Sequence, residues 1–140
     1  MKNIFFFLLP KSEVVYLKPN ATIRQALEKM EHHRYSAIPL IDDEGKYVGI
    51  LTEGDLLWTI KNTPELDFQN SNKFLIQMIE KRFSYEPVSV NADTKELLTL
   101  SVRQNFVPVV DDTGVFIGIV KRQEVINYCY KALFEQGVIV

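Results

Sequence analysis

Cysteine is almost missing from this chain: Cys129 stands alone among 140 residues. No intramolecular disulfide can form, so a reducing, cytoplasmic setting is the default expectation. Cys129 lies in the run Val125-Ile126-Asn127-Tyr128-Cys129-Tyr130, where it reads as a small buried hydrophobe rather than a reactive thiol. Histidine is nearly as scarce. His32 and His33 are the only two, side by side at an expected helix end where a cation suits the dipole, and nothing nearby completes a metal-ligand cluster. There is no Gly-rich phosphate loop, no Ser-His-Asp order and no Cys-His cluster. No isolated acid pair is placed for general acid–base work, so the chain is not expected to be an enzyme. An excess of one charge is also lacking: 16 Lys and Arg face 18 Asp and Glu, for a net charge of -2. That balance gives no basic face for nucleic acid. The apolar run Ile4-Phe5-Phe6-Phe7-Leu8-Leu9, between Lys2 and Pro10, is far too short to span a bilayer. No small-residue cleavage site follows it. It is expected to be a lead-in that packs on the domain.

What the chain does contain is a repeat. The stretch from Tyr35 to Asp55 aligns with the stretch from Gln104 to Glu124 at a constant offset of 69 residues and without a gap. Pro39 falls on Pro108, Asp42-Asp43 on Asp111-Asp112, Gly45 on Gly114, Gly49 on Gly118, and Asp55 on Glu124. Self-similarity at a fixed period marks two copies of one structural unit.

Each unit reads as β-α-β-β-α. Val14 to Leu17 is expected to be a short strand, ended by Pro19-Asn20. Thr22 with Gln25 forms a capping-box pattern, and Ile23, Ala26, Leu27 and Met30 recur at helical spacing. Ile38 to Ile41 and Tyr47 to Leu51 read as strands around the turn Asp42-Asp43-Glu44-Gly45, with glycine available for positive φ. A second helix starts near Thr52, with Leu56, Leu57 and Ile60 on one face. In the second copy the strands are expected at 87–90, 107–110 and 115–120. Helices are expected from Asp93 or Thr94 and, at the end, through Leu133. The polar segment 62–73 reads as a linker, and Phe74 to Lys81 as a short amphipathic helix. The expected organisation is therefore a first unit with its lead-in at 1–61, a linker at 62–73 and a second unit at 74–140.

This repeat, with its strand-borne proline and a Gly-hydrophobic-hydrophobic-Thr-x-x-Asp junction at Gly49-Ile50-Leu51-Thr52-Glu53-Gly54-Asp55, resembles the CBS domain. The looser second copy is Gly118-Ile119-Val120-Lys121-Arg122-Gln123-Glu124. The segments Leu8 to Val14, Tyr35 to Pro39 and Arg122 to Val125 look most like small stand-alone bacterial CBS proteins of the type that binds cyclic di-AMP. The resemblance implies an α+β fold of two β-α-β-β-α units in pseudo-twofold tandem, a homodimer and an adenine nucleotide ligand (AMP, ADP, ATP or cyclic di-AMP). It also implies a separate effector protein, of which a stringent-response nucleotide synthetase is one known kind.

The residues suit a nucleotide. A helix N-terminus presents unpaired N–H groups and a partial positive charge, where a phosphate can sit. Thr52 is placed to add its hydroxyl, and Asp55 to accept from ribose hydroxyls. The resemblance assigns the base edge to the backbone at Ser36, Ala37, Ile38 and Pro39, with Tyr35 or Tyr16 as a wall. By register it assigns the same work to Asn105, Phe106, Val107 and Pro108. Thr-x-x-Asp is equally a capping box, so Thr52 and Asp55 can also be there only to start a helix. The second copy separates these readings. Lys121 takes the Thr position and has no acceptor with which to cap, and a cation is unfavourable at a helix start. Lys121 and Arg122 therefore point to a bound anion, with Glu124 as ribose acceptor, unless both are simply solvated. The alternative function is a structural dimerisation module that binds no ligand.

Overall fold

The computed structural model describes residues 3–135. Lys2 and the outer bounds expected for the two units lie outside the described residues. The main elements are β1 (Leu8–Pro10), α1 (Ile23–His33), β2 (Ala37–Ile41), β3 (Tyr47–Thr52), α2 (Glu53–Asn62), β4 (Val88–Ser89), α3 (Thr94–Ser101), β5 (Phe106–Val110), β6 (Phe116–Lys121) and α4 (Arg122–Tyr130). The fold is α+β. It divides into two compact units, residues 15–84 and residues 3–14 with 85–135.

In the unit of the first repeat, α1 begins as its sequence requires. The Thr22 hydroxyl accepts from Gln25 N at 3.1 Å, and Gln25 Oε1 accepts from Thr22 N at 2.9 Å. The helix ends where Arg34 turns left-handed at φ 60. Ile23, Ala26 and Met30 enter a core with Ile38, Leu40, Leu51 and Leu56. β2 and β3 pair antiparallel around the Asp42 turn. Asp42 Oδ1 accepts from both Glu44 N and Lys46 N at 2.9 Å, and Gly45 takes φ 82, a conformation that costs a residue with a Cβ. The strand expected at 14–17 is reduced to a single parallel bridge of Leu17 to Leu40. Val14 N is drawn away, donating to Lys11 O in a 3-10 turn at Lys11–Glu13.

The segment after α2 is more structured than a polar linker. Arg24 of α1 donates to the carbonyls of Phe68 and Gln69, and its guanidinium lies 4.9 Å from the centre of the Phe68 ring. Asp67 and Asn70 exchange side-chain-to-backbone bonds of 2.9 Å. The helix expected over 74–81 is not formed; only a 3-10 turn at Ile76–Met78 appears. The reason is competition for backbone groups. Ile23 N donates to Phe74 O at 2.8 Å and Ile76 N to Ala21 O at 2.9 Å, so this stretch pairs with the start of α1 instead of coiling. Ile23 N is one of the donors a helix leaves unpaired at its first turn, and Phe74 O satisfies it.

The unit of the second repeat repeats these devices at the same offset. Asp111 Oδ1 accepts from Thr113 N at 2.9 Å and Val115 N at 3.0 Å, and Gly114 has φ 88. The β5–β6 register shifts between Val109 and Val110, as β2–β3 does between Leu40 and Ile41. β4 is parallel to β5, and α3, shorter than α1, is capped by Asp93, which accepts from Glu96 N. α4 runs on into a wider π turn at Lys131–Glu135. The expected bounds group the lead-in with the first repeat. In the structure β1 instead pairs antiparallel with β6, Leu9 opposite Ile119, giving the sheet order β1-β6-β5-β4. Two features favour that edge. Gly118 leaves room for a passing backbone: a Cβ there would stand 2.2 Å from Leu9 O. Ile4 and Phe7 then join a core with Val88, Leu97, Val107, Val120 and Val125.

Candidate functional site

The two strand-to-helix junctions are built alike in the backbone. Glu53 N donates to Ser36 O at 3.0 Å, and at the matching positions Arg122 N donates to Asn105 O at 2.9 Å. Their side chains differ. In the first repeat the junction carries a complete capping box. The Thr52 hydroxyl accepts from Asp55 N, and Asp55 Oδ2 accepts from Thr52 N, both at 3.1 Å. The other carboxylate oxygen, Oδ1, accepts from Arg82 N at 3.0 Å. Asp55 is 1% exposed.

Tyr35 and Asp55 line two different depressions. Tyr35 lines an apolar groove of about 450 Å³ between α1 and α2, with Leu27, Met30, Leu57 and Ile60. Asp55 lines a separate, polar depression of about 570 Å³ with Trp58, Thr59, Lys81 and Arg82. Arg82 lies over the Trp58 ring, 5.9 Å from its centre. Tyr16 is half-buried, and its carbonyl accepts from Lys29 Nζ at 3.1 Å. Ser36 is exposed, whereas Ala37, Ile38 and Pro39 are buried, Ile38 in the core of this unit.

The second junction is the open one. Lys121 is the N-cap residue of α4, is exposed and makes no side-chain cap bond. Glu124 is also exposed. Arg122 is half-buried and turns back, donating from Nε to Gln104 O at 3.1 Å. Asn105 is exposed, and its N donates to the Tyr85 hydroxyl at 3.2 Å. Phe106, Val107 and Pro108 are buried, with Phe106 edge-on to Tyr85 at 5.0 Å. Gln104 is 3% exposed and accepts from Glu86 N at 2.9 Å while donating to Glu86 O and Phe106 O at 3.2 Å. Sequence reasoning missed Tyr85 and Arg82. The one signal available was an aromatic and a cation in a stretch lacking helical or strand periodicity.

Among the described residues no group of His, Cys, Asp and Glu is placed to hold a metal ion. No helix among them is long and apolar enough to cross a membrane.

Comparison with known proteins follows the repeat. A family model described as the CBS domain matches residues 7–62 and again 78–131. The inosine-5'-monophosphate dehydrogenase of Aquifex aeolicus is 31% identical over 121 residues, covering 82% of this chain and 24% of the enzyme. The chain spans less than two thirds of the length of the curated relatives it matches. Among solved structures, the CbpB protein of Listeria monocytogenes in complex with c-di-AMP superposes with a TM-score of 0.76 at 20% identity, over 94% of this chain and 98% of that one. CBSX2 in complex with AMP gives 0.73 at 23% identity, again over 94% and 98%. At these identities the likeness is one of fold.

Proposed function

Because the chain belongs to the CBS domain family, matched at both repeats, we propose that it is a cytoplasmic regulatory module that binds an adenine nucleotide and signals to a separate effector protein without catalysing a reaction. The observation that carries this reading is the exposed, uncapped start of α4, with Lys121 at the N-cap and Glu124 three residues on. A lysine there leaves the first N–H groups of the helix without a side-chain acceptor and adds a positive charge to the positive end of the dipole. That arrangement favours an anion at the helix start, and a phosphate meets both demands. Glu124 supplies the acceptor for ribose hydroxyls, and the Asn105 edge, steadied by Tyr85, faces the base. The bound AMP and c-di-AMP of the two structural relatives support this class of ligand. The active form is a homodimer, and a stringent-response nucleotide synthetase is one kind of effector such a module serves.

The apolar groove beside Tyr35, with Leu57 57% exposed, favours a second reading, a dimerisation module without a ligand. Equilibrium binding of AMP and of cyclic di-AMP to the wild type, Lys121→Ala and Glu124→Ala chains separates the two. Charge-assisted hydrogen bonds contribute about 1.5–3 kcal/mol each, so either substitution is expected to weaken binding about tenfold or more. Binding of neither nucleotide to the wild type leaves the dimerisation module.

A further inference from the structure

The two repeats place an acid at the same position, three residues past the helix N-cap, and treat it in opposite ways. Glu124 is exposed, and its carboxylate makes no hydrogen bond or ion pair among the described residues. Asp55 is 1% exposed, with Oδ2 taken by Thr52 N and Oδ1 by Arg82 N. The second of these bonds comes from 27 residues away in the chain, so local helix capping does not explain it. The segment that supplies it is held on the N-terminal side of the bond and at Arg82 itself. Ile79 is 6% exposed in the core of the first repeat's unit. Arg82 lies over Trp58, and Lys81 Nζ comes within 3.8 Å of where a Cβ on Gly49 would stand.

We propose that residues 79–84 form a strap latched on Asp55, an autoinhibitory contact that closes the first repeat to nucleotide. A ribose hydroxyl has to donate to the Asp55 carboxylate, and the Arg82 N–H stands in that place. The oxygen has a second lone pair, and Asp55 borders the polar depression beside Trp58, but the residue is only 1% exposed there, so the docked strap keeps a ribose hydroxyl from that lone pair. The two acids thus divide the work: Glu124 meets the ligand and Asp55 holds the strap. The part of this inference that concerns stoichiometry rests on the nucleotide reading above; the latch itself does not.

Two measurements on the full chain test them separately. Without ligand, amide hydrogen exchange at Arg82 is compared between wild type and Asp55→Ala, which removes both carboxylate acceptors. The latch predicts exchange faster by about tenfold or more at Arg82 and its neighbours; unchanged exchange overturns it. Calorimetric titration with AMP and, separately, cyclic di-AMP then counts ligands per chain. The wild type is expected to take one. Arg82→Pro removes the blocking N–H, and proline is tolerated outside helices and sheets, so this variant is expected to take two. Two ligands on the wild type, with one lost in Asp55→Ala, make Asp55 a ribose acceptor and overturn the autoinhibition. One ligand on Arg82→Pro overturns it as well. No uptake of either nucleotide by any chain refutes the nucleotide reading, and the exchange result alone then decides the latch.

Discussion

Single side chains at matching positions of the two repeats carry unequal loads, and this makes paired substitutions informative. Asp111 holds the β5–β6 turn, and its pKa lies below the ordinary carboxylate value. The Thr113 hydroxyl is the first cause, donating at 2.7 Å, and the Val115 N–H the second. A carboxylate with a lowered folded-state pKa adds stability above its unfolded value, and that stability is lost as pH falls through the folded one. Asp111→Asn is therefore expected to destabilise the chain at about pH 7, with the difference from wild type shrinking towards about pH 3; denaturant melts at the two pH values check this. Gly118 and Gly49 give a second pair. An added Cβ at Gly118 meets the Leu9 carbonyl at 2.2 Å, whereas at Gly49 it meets only the movable end of Lys81 at 3.8 Å. Gly118→Ala is expected to cost about 2–4 kcal/mol and to release β1. Gly49→Ala is expected to cost clearly less, and urea titration of both variants reads the difference.

At the scale of elements, the helix starts tell most. α2 begins from a full capping box at Thr52, and α4 from a lysine with none. Lys121→Ser is expected to raise stability by about 0.5–1 kcal/mol by adding a cap and to weaken anion binding in the same protein. A gain in melting temperature with no loss of affinity argues that Lys121 is only solvated. These starts were legible in the sequence because a cap is written in residues three apart. Thr22 with Gln25 and Thr52 with Asp55 could be read directly, and so could the turns at Asp42 and Asp111. The segment 74–81 could not. Its apolar spacing suits a helix, but its backbone groups are claimed by Ala21 and Ile23, more than fifty residues earlier, and no local pattern records that competition. The tie from Arg82 to Asp55 was hidden for the same reason.

For the whole molecule, the 69-residue offset was enough to show two copies of one unit. It did not show which sheet edge the lead-in would join, because edge pairing depends on a distant strand with space above Gly118. Ile4 is fully buried beside Phe7 in the core of the second repeat's unit. Ile4→Ala is expected to cost about 2–5 kcal/mol and to raise amide exchange across residues 85–135 while sparing 15–84; an equal rise in both would contradict the grouping of the lead-in with the second repeat. The central claim, that this chain senses an adenine nucleotide, is tested most directly by thermal unfolding of ligand-stripped protein with AMP, ADP, ATP and cyclic di-AMP in turn. A ligand bound only by the native state stabilises by RT ln(1 + [L]/Kd), about 2.7 kcal/mol at 100 times Kd. The account predicts a clear rise in midpoint with at least one of the four, lost in Glu124→Ala. An unchanged midpoint with all four would contradict it.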